Sequence, residues 1–104
     1  MPAHNAERTI RPAVRSVLLA LPKDGELLVF LDGCTDGTLS VLQKISDPRI
    51  KVYISIPNVG VVRARQFLLE SAGSDYVATL DSDDLALPWR FRSQLRLIKE
   101  MSAD

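Results

Sequence analysis

Apolar residues follow three patterns along this chain, of which one predicts a helix and two predict strands. Between residues 10 and 21 they recur every three or four positions, which predicts a helix that Thr9 caps and that carries Pro12 in its first turn. The nearly continuous apolar run over residues 26–31 predicts a strand covered on both faces. Apolar and polar residues alternate over residues 50–54, which predicts a strand nearer the edge of the sheet.

The rest of the chain continues the same alternation of helix and strand. Helical spacing predicts helices over residues 38–45, 61–72 and 88–101, and residues 1–5 read as a loop. The run Tyr76–Leu80 is apolar and rich in β-favouring residues, and after the turn Gly73-Ser74-Asp75 it predicts a buried strand. Because helices alternate with strands, the fold class is α/β, with a mostly parallel sheet and right-handed crossovers.

The amino-acid composition limits the classes of protein to which this chain can belong. A chain of 104 residues with 46% hydrophobic and 25% charged residues is expected to form one globular domain. Thirteen basic and thirteen acidic residues cancel, so no nucleic-acid partner is expected. A single Cys34 and a single His4 exclude an internal disulfide and a four-ligand zinc site. This cysteine usage suits a reducing cytoplasm. No apolar run approaches the ~20 residues of a membrane span, so any membrane contact is expected to be peripheral, at the inner face.

Three carboxylates follow the predicted strand at 76–80. Asp81, Asp83 and Asp84 stand within four residues, at the strand end where open α/β sheets place their ligands. These like charges repel one another, and a cation bound between them would offset that repulsion. Mg²⁺ or Mn²⁺ is expected, because these ions prefer hard carboxylate oxygens. The alternative is an ordinary solvated turn that caps the following helix.

A second acidic loop, Asp32–Asp36, follows the strand at 26–31 and is expected at the same edge of the sheet. One carboxylate can accept the N–H groups of a base edge, whereas a diphosphate needs a metal that several carboxylates hold. Gly33 and Gly37 let the loop approach a ligand closely, and Thr35 or Asp36 can cap the next helix. Arg63 and Arg65 follow at the start of the third helix, where they can reach phosphate or neutralise the acids.

Four segments occur in a fixed order along the chain. They are Pro2-Ala3-His4-Asn5-Ala6-Glu7, Leu31-Asp32-Gly33-Cys34-Thr35-Asp36, Asn58-Val59-Gly60 with Arg63-Ala64-Arg65-Gln66, and Asp81-Ser82-Asp83-Asp84 with Pro88. Together they resemble the successive signatures of glycosyltransferase family 2, over the whole chain. The resemblance implies a three-layer, Rossmann-like GT-A fold. It also implies sugar transfer from a nucleotide-diphosphate sugar to an acceptor hydroxyl, with Mn²⁺ or Mg²⁺ as cofactor.

The resemblance also implies roles for matching positions. Asp32 would accept from the uracil of a UDP-sugar, and Asp81 and Asp83 would contact the ribose and the metal-bound diphosphate. The nucleotide-sugar residues are then Pro2, Asp32, Arg65, Asp81, Ser82 and Asp83, and the metal ligands are Asp81, Asp83 and Asp84. The implied acceptor is a saccharide or a lipid-linked group of cell-envelope polysaccharide biosynthesis.

The chain departs from the family pattern at four motif positions. Leu31 replaces the first acid of the loop, which extends the apolar strand and removes a potential nucleotide contact. Cys34 stands for a serine, His4 for a tyrosine and Gln66 for an asparagine. Cys34 is close to serine in size but is a weaker hydrogen-bonding group.

Two parts that the resemblance implies have no counterpart here, so residues 1–104 are expected to be a partial domain. One is an apolar first strand, which would lie between the strands at 26–31 and 76–81. The other is the acceptor half with its general base, and no residue matches that base. The open slot left in the sheet can take a strand from a second copy of the chain, which would give a homo-oligomer.

Three alternatives stand beside the transferase interpretation. The chain can be a non-catalytic fragment that only binds nucleotide or assembles with a partner. A phosphotransfer enzyme would use Asp81 as its nucleophile, but Leu85 and the lack of a downstream lysine with an acidic pair argue against it. A nucleotidyltransferase would need a glycine-rich loop with arginine after its first strand, which the sequence lacks.

Overall fold

A computed structural model describes residues 1–74 and 76–102. In chain order its elements are β1 (Pro2–Ala3), α1 (Ile10–Ala20), β2 (Leu27–Asp32), α2 (Thr38–Gln43), β3 (Ile50–Ser55), α3 (Val61–Ser71) and α4 (Arg90–Ser102). All four predicted helices are present, with ends that lie within two residues of the predicted bounds. Across the described ranges, none of these helices has both the length and the apolarity that a membrane span requires.

The three strands form a parallel sheet in the order β1-β2-β3. Strand β2 pairs with β3 along its whole length, from Leu27 opposite Ile50 to Asp32 opposite Ser55. It pairs with β1 at only two positions. Strand β2, which contains the continuous apolar run, is the central strand, as predicted. Strand β3 lies at an edge of the sheet, and its Ile54 is exposed.

The helices cover both faces of this sheet, which gives the three-layer arrangement. Alternate side chains of β2 point to opposite faces. Val29 and Leu31 pack with Ile10 and Val14 of α1 in the larger core, and α2 and α4 add Leu42 and Phe91 to it. On the other face, Phe30 packs with Ala64 and Leu68 of α3. The mixed α/β prediction is confirmed.

The predicted buried strand at Tyr76–Leu80 is wrong. These residues adopt no strand, and the first four of them are exposed. A strand requires a neighbouring backbone to pair with, and β1 extends along only two residues of β2, so no paired neighbour lies beside this segment. Asp75, part of the turn predicted before it, lies outside the described residues.

The loop predicted for residues 1–5 also needs a correction, because Pro2 and Ala3 form the short strand β1. Its ladder begins where the Phe30 N–H donates to the Met1 carbonyl at 2.9 Å. The Met1 ammonium donates to the Leu28 carbonyl at 2.8 Å. Burial lowers the pKa of this ammonium to about 6, because desolvation disfavours the charged form. The position beside β2 that was predicted to lack a strand therefore holds the two paired residues of β1, Pro2 and Ala3.

Candidate functional site

The loops that follow β1 and β2 are joined by side-chain hydrogen bonds. The Asn5 side-chain oxygen accepts from the backbone N–H of Thr35 at 2.8 Å and of Asp36 at 3.3 Å. The Glu7 carboxylate accepts from the Gly37 N–H at 2.9 Å. Both loops stand at the carboxyl ends of parallel strands, so these bonds fix the edge of the sheet where a ligand is expected.

Thr38 and Asp36 connect the start of α2 to the same loops. Thr38 is fully buried, and its hydroxyl oxygen accepts from the Ala6 N–H at 2.9 Å. The Asp36 carboxylate accepts from the Thr38 N–H at 3.0 Å and from the Thr38 hydroxyl. These bonds, led by the one from the Thr38 side chain, lower the pKa of Asp36. Asp36 therefore caps α2, as the sequence predicted, although the helix formally begins after Gly37.

Asp32 ties the end of β2 to the start of α3. Its side chain is buried, with the residue only 4% exposed, and its two oxygens accept from the Val59 N–H at 2.7 Å and the Gly60 N–H at 3.0 Å. A carboxylate at a helix N-terminus is also favoured by the helix dipole. His4 Nδ1 lies 2.7 Å from the Asp32 carbonyl oxygen and 3.3 Å from the Asn58 side-chain nitrogen.

The acidic trio lies on the surface. Asp81, Asp83 and Asp84 are all exposed, and each offers a carboxylate oxygen within 4.8 Å of the others. Hard oxygen ligands at such spacing fit one divalent cation of the Mg²⁺ or Mn²⁺ type. The Arg65 guanidinium donates to Asp81 at 2.7 Å and supplies positive charge beside the trio.

Helix α3 links the two acidic loops. Asp32 binds the backbone at Gly60, immediately before the helix, and Asp81 binds Arg65, five residues further on. At a rise of about 1.5 Å per residue, these two points on α3 lie roughly 7–8 Å apart along its axis. Asp32 and Asp81 thus both contact the first half of α3 or the residue directly before it.

The remaining predicted site residues have these positions. Pro2 lies half-buried in β1 opposite Phe30, and Ser82 is half-buried between the acids of the trio. Arg63 is exposed on α3. Sequence reasoning gave no role to Asn5, Glu7 and Thr38, which hold the loops together. Asn5 and Glu7 belong to the first of the four segments quoted above. The sequence therefore marked them as part of a motif, but it did not indicate which groups they bind.

Comparisons with known proteins find similar sequences and similar structures. The family described as Glycosyl transferase family 2 matches residues 1–104. The chain is 35% identical over 98 residues to the Escherichia coli UDP-Glc:alpha-D-GlcNAc-diphosphoundecaprenol beta-1,3-glucosyltransferase WfgD, covering 94% of this chain and 39% of that protein. It is 38% identical over 103 residues to the Bacillus subtilis putative teichuronic acid biosynthesis glycosyltransferase TuaG, covering 97% of this chain and 41% of that protein.

Solved structures show the same fold. The crystal structure of S. aureus TarS 1-349 in complex with UDP matches with a TM-score of 0.87 and 28% sequence identity, covering 95% of this chain and 30% of that chain. The present chain thus spans about two fifths of the curated relatives named above and a smaller share of the solved structure.

Proposed function

This chain belongs to glycosyltransferase family 2, and we propose that its 104 residues form a partial GT-A domain that binds the nucleotide-diphosphate sugar donor. The enzyme would transfer the sugar to an acceptor hydroxyl. The observation that supports the proposal is that two acidic loops contact the same helix, because Asp32 accepts from the N–H that precedes α3 and Asp81 accepts from Arg65.

The acidic trio supplies the proposed metal site. Asp81, Asp83 and Asp84 can place three oxygens around one Mn²⁺ or Mg²⁺. The bound metal ion would neutralise charge on the departing nucleotide diphosphate. Asp81 would also contact the ribose, and Asp83 the metal-bound diphosphate. Arg65 holds Asp81 in place and carries the positive charge that can approach a phosphate oxygen.

Asp32 is the proposed acceptor for the uracil N–H. Each of its carboxylate oxygens accepts one backbone N–H, and a carboxylate oxygen has room for a second hydrogen bond. Pro2, which belongs to β1, and Ser82, which lies between Asp81 and Asp83, complete the proposed nucleotide-sugar residues. The UDP complex of TarS and the UDP-glucose donor in the name of WfgD support uridine as the base.

The acceptor class follows the relatives. WfgD acts on a diphosphoundecaprenol-linked sugar according to its name, and TuaG is assigned to teichuronic acid biosynthesis. We therefore propose a saccharide or lipid-linked acceptor in cell-envelope polysaccharide biosynthesis. A cytoplasmic location with peripheral contact at the inner face of the membrane suits such an acceptor.

Isothermal titration calorimetry with UDP tests the donor site. We expect binding in the presence of Mn²⁺, and a loss of affinity of about tenfold or more in Asp83→Ala, because removing one carboxylate weakens a metal held by few protein ligands. Glu70→Gln, an exposed change near the end of α3, is the matched control and should bind like the unchanged chain.

Two results would contradict the proposal. Undiminished Mn²⁺-dependent binding in Asp83→Ala would remove the metal site. Absence of binding to UDP and to every other nucleotide, in protein whose circular dichroism shows a folded state, would favour the non-catalytic assembly module instead.

A further inference from the structure

The acidic trio lies on a short exposed loop whose two ends are packed into the protein. Leu80, directly before the trio, is half-buried and packs against the larger core. Ala86, at the other end, is only 7% exposed and belongs to that core. The carboxylates between these two ends are exposed. We call residues 81–86 the trio loop.

A turn and two hydrogen bonds to neighbouring helices shape the trio loop. Inside the loop, the Asp84 N–H donates to the Asp81 carbonyl at 3.1 Å. At its start, the Arg65 guanidinium of α3 donates to the Asp81 carboxylate at 2.7 Å. At its end, the Ala86 N–H donates to the Ser16 hydroxyl of α1 at 2.9 Å. Because α1 and α3 lie on opposite faces of the sheet, the loop is held from both helical layers.

Ser16 has the hydrogen-bonding geometry to hold the end of the loop in place. Its hydroxyl donates to the Ala13 carbonyl at 2.7 Å, within α1. That bond fixes the direction of the hydroxyl hydrogen, and it leaves the oxygen lone pairs to accept from Ala86. Among the described residues, the Ala86 N–H has no other acceptor. Since this amide is partly buried, loss of its acceptor would be costly, and we expect the loop end to shift in order to find a new one.

The position of the loop matters for a metal ion because all three proposed ligands come from this one loop. Their carboxylate oxygens lie within 4.8 Å of one another. Mg²⁺ requires nearly ideal octahedral geometry at short metal–oxygen distances, whereas Ca²⁺ tolerates flexible and irregular coordination. A displaced loop should therefore lose affinity for Mg²⁺ to a greater extent than affinity for Ca²⁺.

We propose, on the basis of the metal site proposed above, that Ser16 is a positioning residue for the divalent ion. Its hydroxyl fixes the end of the trio loop and thereby the spacing of the three carboxylates. Ser16 and Ala86 are 70 positions apart, and Ser16 lies outside the four motif segments. The Ser16 side chain carries no charge. Its removal can therefore change metal affinity through the geometry of the loop, but not through a change in net charge.

The alternative is that core packing of Ala86 is sufficient to hold the loop, and that the Ser16 hydroxyl contributes only to stability. Ser16→Ala distinguishes the two cases. Alanine favours a helix more than serine does, so α1 should stay intact in this variant. The matched control is Ser71→Ala, which also removes a helical hydroxyl. The Ser71 hydroxyl donates to the Phe67 carbonyl within α3 at 2.8 Å.

Nuclear magnetic resonance titrations with MgCl₂ and with CaCl₂ measure both affinities and locate binding at the trio-loop amides. Ser16→Ala should weaken Mg²⁺ binding by about threefold or more, and Ca²⁺ binding by a smaller factor. Ser71→Ala should bind both ions like the unchanged chain. Without metal, the amides of Asp84 and Ala86 should exchange with solvent faster in Ser16→Ala than in Ser71→Ala, because the loop end has lost its acceptor.

Three outcomes would overturn the positioning role and leave the metal site in place. They are unchanged Mg²⁺ affinity in Ser16→Ala, equal losses of Mg²⁺ and Ca²⁺ affinity in that variant, and an equal loss in Ser71→Ala.

The titration of Asp83→Ala reports on the metal site separately. Absence of Mg²⁺ binding by the unchanged chain, or binding that Asp83→Ala leaves undiminished, would remove the proposed metal site and the role of Ser16 together.

Discussion

Gly33 shows how one residue shapes the site. Its φ is 60°, a left-handed conformation that glycine adopts without strain. A Cβ placed there would lie 2.8 Å from the Asn58 backbone nitrogen, so the loop after β2 can approach residue 58 only because no side chain intervenes. The same close approach brings Asp32 to the Val59 and Gly60 N–H groups.

Replacing Gly33 by alanine is therefore expected to destabilise the fold by roughly 2–4 kcal/mol, from backbone strain and from displacement of the Asn58 backbone. Gly73→Ala is the matched control, because a Cβ there meets no atom within 4 Å. That change should alter the free energy of unfolding by no more than about 0.5 kcal/mol. Urea unfolding measures both, and equal effects would refute the packing argument.

At the scale of elements, Arg49 joins the start of β3 to the end of α1. Its guanidinium donates to the Leu18 carbonyl at 2.9 Å and to the Leu21 and Pro22 carbonyls at 3.4 Å. Arg49 also forms an ion pair with Asp47, with 3.0 Å between the guanidinium nitrogen and the carboxylate oxygen. The hydrogen bond from Arg49 lowers the pKa of the Asp47 carboxyl. The carbonyls at the end of a helix lack partners within the helix, and Arg49 supplies one.

Arg49→Ala should lower the midpoint of thermal unfolding by several degrees, because it leaves the last carbonyls of α1 and the Asp47 carboxylate without this donor. Arg49→Lys should recover only part of the loss, since lysine cannot form a planar fork of donors. Arg11→Ala, an exposed change on α1, is the control and should leave the midpoint nearly unchanged. A loss in Arg11→Ala as large as in Arg49→Ala would contradict this role.

Across the whole molecule, three hydrogen-bonded carboxylates make the stability of the fold depend on pH. Hydrogen bonds from Lys51, Thr38 and Arg49 lower the pKa values of Glu26, Asp36 and Asp47 respectively. In the unfolded chain these groups bind protons at their ordinary pKa values, and in the folded chain only at lower pH. The unfolded state therefore binds more protons in acid, and stability falls as the pH is lowered.

We expect the urea midpoint to fall as the pH decreases from about 5 towards 3. Asp36→Asn should flatten this dependence, because asparagine keeps an acceptor for Thr38 but does not titrate. The control Glu70→Gln should keep the slope of the unchanged chain. A slope that Asp36→Asn leaves intact would show that Asp36 does not contribute to the acid sensitivity.

The sequence by itself determined the helices, the central strand and the places along the chain where the acidic loops fall. Spacing of apolar residues placed α1, α3 and α4, and the continuous apolar run placed β2, because burial and helical or strand periodicity are local properties of the chain. The motifs also placed the acids at the ends of β2 and of the segment before Asp81, and Asp36 at the start of α2.

Only the tertiary structure decided which backbone groups pair. Tyr76–Leu80 has the sequence of a strand but is not one, because β1 reaches only two residues along β2 and leaves the segment without a paired neighbour. Likewise, the two bonds from Asp32 to the start of α3 join residues that are 27 and 28 positions apart. A contact of that range depends on how sheet and helix are packed, which local spacing does not encode.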